Sequence, residues 1–224
     1  ETGPQDPVTD QLLQRLRTET IPRAEEGTTM RAYVGGATAV SQDFTKVISD
    51  ALPVFLAVVI GLGFLALMLL FRSLLVPLIG ALTSLLSLGA ALGVVTAVFQ
   101  WGWGASLLGV TATGPIMPFL PIMVFAILFG LSMDYQVFLV SRMHEEWHHT
   151  GDNALSVRRG LAGSGRVVAI AAAIMASVFL AFIPTPEDTI KLFGVGLATA
   201  VLVDAFIVRL VLVPSLISWI GPRT

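Results

Sequence analysis

Long apolar runs alternate with short polar breaks along this chain. The runs cover about 51–71, 74–99, 117–140, 167–183 and 193–220. Each approaches or exceeds the ~20 residues that a helix needs to cross a hydrocarbon core. The last is long enough to bend along an interface near Pro214. Before them, residues 1–50 are polar. Leu12, Leu13 and Leu16 have helical spacing within 8–20 and predict a helix capped by Thr9 and stopped at Ile21-Pro22. Met30 to Val34 alternates like a short strand, Gly35-Gly36 turns the chain, and 41–50 leads as a helix into the first run. A piece of about 50 residues has too little core to fold well alone, so it is expected to complete a domain whose other segments lie elsewhere.

Composition supports a membrane protein. Of 224 residues, 55% are hydrophobic and 12% charged, with a mean hydropathy of +0.84, against about 25% charged in soluble domains. The thirteen Lys and Arg form no run, which argues against a nucleic-acid partner. There is no cysteine, hence no disulfide and no thiolate metal site. No signal peptide opens the sequence. Arg72, Arg142, Arg158, Arg159, Arg166 and Arg223 fall at one set of span ends, and only Lys46 and Lys191 at the other. The positive-inside rule then places the N-terminal segment outside and the C-terminus in the cytoplasm. Trp101 and Trp103 suit the outer interface, and Trp147 and Trp219 the inner one.

Three charged residues lie inside the runs: Asp134, Asp204 and Arg209. A charge at that depth costs on the order of 3 kcal/mol or more, which makes each a candidate functional residue. At ~1.5 Å per residue, Asp134 lies about 20 Å below the outer end of its span. Burial raises a carboxylate pKa and a neighbouring Arg lowers it, so Asp134 is a candidate proton carrier. Tyr135 points roughly 100° away from it on a helix, with Gly130 and Ser132 on the same turns. Asp204 and Arg209 form either a structural ion pair or part of a relay. Being five apart, they do not share an α-helical face, and Arg209 has Asp134 or the interface as alternative targets. Small residues at Gly89/Gly93, Ala169/Ala173, Gly194/Ala198 and Gly196/Ala200 predict close helix approach.

Other motifs carry less. Gly160 to Arg166 superficially resembles a phosphate loop, but has Arg166 where Lys is needed and Val167 where Ser or Thr is needed. The energy source is therefore expected to be an ion gradient. His144 and His148 are four apart and have chelating spacing on a helix. They sit in a charged connection with His149, where a solvated face is the simpler expectation. Asp152 is expected to cap a short helix from Asn153 to Leu161. No His lies within a span to serve a serine nucleophile, so an enzyme is not expected. No cofactor and no metal are expected.

The stretch FGLSMDYQVFLVSRMHEE, residues 129–146, resembles the MMPL (mycobacterial membrane protein large) family, the actinobacterial branch of the RND superfamily. Val34 to Ala39, Phe71 to Ser73, Gly163 to Val167 and Asp204 to Pro214 are similar to that family too. The resemblance implies an all-α membrane domain of five transmembrane helices (51–224) in an RND-type bundle. The end of an α/β extracytoplasmic porter domain and a linker helix (1–50) would precede it. The form around Asp134 is similar to the family's second half, so an N-terminal half, or a second copy, is the implied partner. In that family an Asp-Tyr pair from each half meets near the bundle centre as a proton relay. The resemblance thus assigns Asp134 and Tyr135 to the relay, and leaves Asp204 and Arg209 with less certain roles. Gln136 departs from the acidic residue expected in many relatives. The implied function is proton-driven export of a lipid or lipid-like metabolite across the inner membrane. The alternative is a non-transporting, sterol-sensing-like module that binds lipid or a protein partner.

Overall fold

The computed structural model describes residues 7–220. The chain divides into two compact units, Glu1–Val54 and Phe55–Thr224. The helix α3, Ala37–Phe71, contributes residues to both.

In the first unit, α1 (Pro7–Arg15) runs through a π-helical turn, Leu16–Thr20, into α2 (Ile21–Glu25). The predicted stop at Ile21-Pro22 does not occur, and the helix begins two residues before Thr9. Proline lacks an N–H and its ring crowds the carbonyl four residues back. Here the turn before Pro22 is widened, and the Ile21 N–H donates to the Leu16 carbonyl five residues back. A π turn is a recognised way to take an irregularity into a continuous helix. Arg17 then binds the Asp43 carboxylate with both terminal nitrogens and donates to the Val34 carbonyl at 3.2 Å.

The strand expected at Met30–Val34 is absent, and no strand occurs among the described residues. A strand needs a neighbour for its ladder. Instead the Glu25 carboxylate accepts the Ala32 N–H at 2.6 Å, and Tyr33 stays exposed.

The second unit holds most of the five helices that are long and apolar enough to cross a membrane. They are α3; α4 (Leu75–Val95) with a π-helical extension, Thr96–Gln100; α5 (Leu120–Thr150); α6 (Asn153–Leu180); and α7 (Asp188–Leu202). The last continues through a π-helix, Val203–Leu212, into α8 (Val213–Ile220). The protein is thus a multi-pass, all-α membrane protein.

Two boundaries differ from the sequence reading. Helix α5 runs on past 140 to Thr150, and the separate short helix from Asn153 to Leu161 does not exist. Helices α5 and α6 instead form a long hairpin joined only by Gly151 and Asp152. Gly151 has φ 67°, a left-handed conformation that suits glycine, and its N–H closes α5 on the Trp147 carbonyl at 2.8 Å. Asp152 caps α6 as expected, accepting from the Ala154 and Leu155 N–H groups at 2.9 and 3.2 Å. No proline and no second capping side chain interrupt 153–180, so the helix runs straight through Gly160 to Gly165. The last span likewise stays helical past Pro214 to Ile220.

The interior is layered. One apolar cluster joins Val95, Phe99, Val124, Phe125, Leu128, Ala172, Leu197 and Val201. A second, at the Arg-rich end, joins Val76, Ile79, Leu139, Met143, Val157, Val208 and Ile217. Between them α4, α5 and the π-helix place buried polar side chains. Helix α3 touches this bundle along one strip, with Phe55 edge-on to Phe125 at 6.1 Å between centroids. Its Val58, Leu62, Leu65 and Leu69 remain exposed.

The glycines sort differently from their spacing. Gly194 and Gly196 do sit at close contacts, against the Phe179 carbonyl and Val95. Gly89 and Gly93 have nothing near them, because that face of α4 turns away from the bundle. Gly160 on α6 also lies close to another helix's backbone: a Cβ there would fall 2.9 Å from the backbone nitrogen of Met143 on α5. Gly160→Ala should therefore destabilise the protein by about 1–3 kcal/mol. Gly93→Ala should leave stability unchanged or raise it slightly. Thermal unfolding of both variants in detergent micelles measures the difference.

Candidate functional site

The polar layer is centred on Asp204 and Arg209, which are 3% and 1% exposed. In an α-helix five residues turn through about 500°, which leaves the two side chains about 140° apart. The segment that carries them is a π-helix, whose repeat runs from i to i+5. That repeat stacks the pair, and Arg209 Nε donates to Asp204 Oδ2 at 2.8 Å. As in the first unit, the π segment lies directly ahead of a proline, Pro214, and the Val213 N–H donates five residues back to Val208.

The remaining valences are filled from two other helices. Asp204 Oδ1 accepts from Ser87 Oγ on α4 and from Ser132 Oγ on α5, each at 3.2 Å. Arg209 Nη2 donates to Ser132 Oγ, and Ser84 Oγ lies 3.2 Å from the same oxygen. Ser132 has one proton and two lone pairs. Giving the proton to Asp204 leaves both lone pairs for Arg209 and Ser84. The cluster is internally satisfied, which is the condition under which a buried ion pair is tolerated. One turn further along α5, Gln136 is 2% exposed and donates to the Val76 carbonyl at 3.1 Å. It packs over Gly80, where a Cβ would lie 2.7 Å from the Gln136 Cδ. An ionised acid at position 136 would have no proton to give this carbonyl.

Asp134 is placed differently. It lies two residues from Ser132 and therefore on another face of α5, exposed, with Gly130 one turn away on the same side. It makes no hydrogen bond or ion pair with any described residue, and Tyr135 beside it is half-buried, its hydroxyl likewise bonded to none of the described residues. Arg209 does not reach Asp134, because Asp204 and Ser132 hold it. The structure thus gathers Ser132, Asp204 and Arg209 and leaves Asp134, Tyr135 and Gly130 outside that cluster. Ser84, Ser87 and Gln136 complete the polar layer; the two serines were missing from the sequence reading, and Gln136 entered it only as a departure from the family. Thr83, Ser84 and Ser87, one face of an otherwise apolar span, were the available signal.

At the other end of the bundle, Asp188 at the start of α7 accepts from Thr111 Oγ1 at 2.5 Å and from its N–H at 3.0 Å. Lys191 binds the Gly109 carbonyl and lies 3.4 Å from Asp188. These contacts tie the 101–119 connection to α7.

The chain matches the MMPL family over residues 2–224 and belongs to it. Membrane protein YdfJ of Bacillus subtilis (strain 168) is 42% identical over 221 residues, 99% of this chain and 30% of that protein. Heme uptake protein MmpL11 of Mycobacterium tuberculosis (strain ATCC 25618 / H37Rv) is 41% identical over 185 residues, 83% of this chain and 19% of that protein. Trehalose monomycolate exporter MmpL3 of Mycolicibacterium smegmatis (strain ATCC 700084 / mc(2)155) is 36% identical over 192 residues, 86% of this chain and 19% of that protein. The chain thus spans less than a third of the length of these relatives.

The ion pair makes a specific demand. Arg209→Met leaves Asp204 buried without its cation and should cost about 3–5 kcal/mol of stability. Asp204→Asn combined with Arg209→Met should cost less than Arg209→Met alone, because the stranded charge is gone. Unfolding free energies of the single and double variants in micelles decide this.

Proposed function

We propose that this chain is the membrane-embedded coupling portion of a proton-driven exporter of lipids or lipid-like molecules. Asp134 carries the proton, and Tyr135 serves a carboxylate outside this chain. The observation that carries the reading is the contrast between two carboxylates at membrane depth. Asp204 has its charge fully compensated by Arg209, Ser87 and Ser132. Asp134 is exposed and has no partner among the described residues. A carboxylate with a permanent guanidinium partner holds its charge, whereas one that meets its environment at a protein–protein face can gain and lose a proton.

The partner of the Asp134 face is then another part of the longer transporter, or a second copy of this chain, and this face closes around the proton path. Protonation of Asp134 removes the cost of a charge there and favours closer packing of that face. The Asp204–Arg209 cluster keeps α4, α5 and the last helix in register while this happens. By the arginine distribution, the Arg-rich end lies in the cytoplasm of a plasma membrane and the N-terminal segment outside. Membership of the family and the exporter name that MmpL3 carries support a lipid cargo.

In the full-length transporter, Asp134→Asn should abolish export driven by a proton gradient while leaving folding and membrane insertion intact. Transport by reconstituted vesicles, with and without an uncoupler, measures it. Export that persists in the variant removes Asp134 from the path, and wild-type export indifferent to the uncoupler removes the proton.

A further inference from the structure

The Arg-rich end of α5 carries three histidines in its last two turns. Among them His144 and His148 converge, with Nε2 of one 3.1 Å from Nε2 of the other and ring planes 88° apart. Both are exposed, on a helix that runs unbroken through them to Thr150. Two imidazole nitrogens bound to one metal at about 2.0–2.1 Å, with this separation, subtend an angle of about 100° at the ion. That lies between square-planar and tetrahedral angles, so the spacing suits a cation once each ring turns to aim its nitrogen at the ion. The two nitrogens stand at hydrogen-bond distance across one helical turn. A cation bound by both replaces that contact and sits to one side of the line between them.

We propose that His144 and His148 form a bidentate site for a divalent d-block cation, with Cu2+ bound most tightly. Imidazole nitrogen suits copper, zinc and nickel, and affinity at such sites peaks at Cu2+. The nearby carboxylates are committed elsewhere: Glu145 to Arg142 at 2.9 Å and Glu146 to Arg159 at 3.9 Å. Among the described residues no group of three His, Cys, Asp or Glu converges, so water completes the coordination. His149 is one residue further on, about 100° around the helix from His148, and takes no part.

The site has a structural consequence. His144 also lines a cavity of about 300 Å³ with Phe71, Val140, Met143, Trp147 and Val157. A cation bridging His144 to His148 fixes the His144 ring, and with it one wall of that cavity. It also staples the final turns of the helix that carries Asp134.

The test is Cu2+ titration of the intact, untagged protein in lipid nanodiscs at neutral pH. Electron paramagnetic resonance reads the nitrogen hyperfine pattern. Tryptophan emission reads quenching, since the Trp147 ring lies 6.3 Å from His144 and 5.4 Å from His148. One saturable site with two nitrogen ligands is expected. Its affinity should fall at least tenfold in His144→Ala and in His148→Ala, and stay unchanged in His149→Ala. A double variant, His144→Ala with His148→Ala, that binds Cu2+ like the wild type would overturn the proposal. So would a loss in His149→Ala equal to that in the other two.

Discussion

A guanidinium and a carboxylate buried side by side between two apolar clusters set the terms for this bundle. Neither Asp204 nor Arg209 is tolerable at that depth alone. Together they still leave valences that only neighbouring helices can fill, and Ser87 and Ser132 fill them. The requirement fixes three helices against one another. Apolar packing in lipid discriminates poorly between registers, because one leucine contact resembles the next. A hydrogen-bonded cluster with one proton per hydroxyl admits a single arrangement.

Helix α5 then does two jobs with residues two apart. Ser132 turns inward to the cluster, and Asp134 turns outward with Gly130. The inward contact holds the helix, so the outward carboxylate is presented at a defined angle. Other helices also have unpacked faces, including Gly89 and Gly93 on α4 and much of α3. Small residues that approach nothing among the described residues leave those faces open to close packing by another helix.

Much of this was legible in the sequence. Five apolar runs gave the five spans, since length and hydropathy are local properties. The three charges stood out because they interrupt long apolar runs. Asp152 was recognisable as a cap because its chemistry is local too. The facing of Asp204 and Arg209 was hidden, because five-residue spacing argues against a pair only if the helix is α. Local propensity does not announce a π segment, although Pro214 just beyond it hints at an irregularity. Helix continuity at Pro22 was hidden for the same reason. The strand at Met30–Val34 was inferred from alternation alone, and alternation cannot supply the neighbour that a strand requires. Ser84 and Ser87 were visible, but small hydroxyls in a membrane span also bond their own backbone, as Thr83 does to Ile79 at 2.7 Å.

The π-helix has one more implication. Where its wide turns meet ordinary α-helix, the angular phase of every later residue is displaced from what an unbroken α-helix would give. Val213 to Ile220 therefore face as they do because Val203 to Leu212 is wound loosely. The ion pair rewards that loose winding, since tightening it to α spacing would pull Arg209 off Asp204. Charge neutralisation in mid-membrane and the azimuth of the terminal helix are consequently one variable: unwinding or rewinding this segment would switch both together, like a combination dial whose last wheel turns only when the pin is withdrawn.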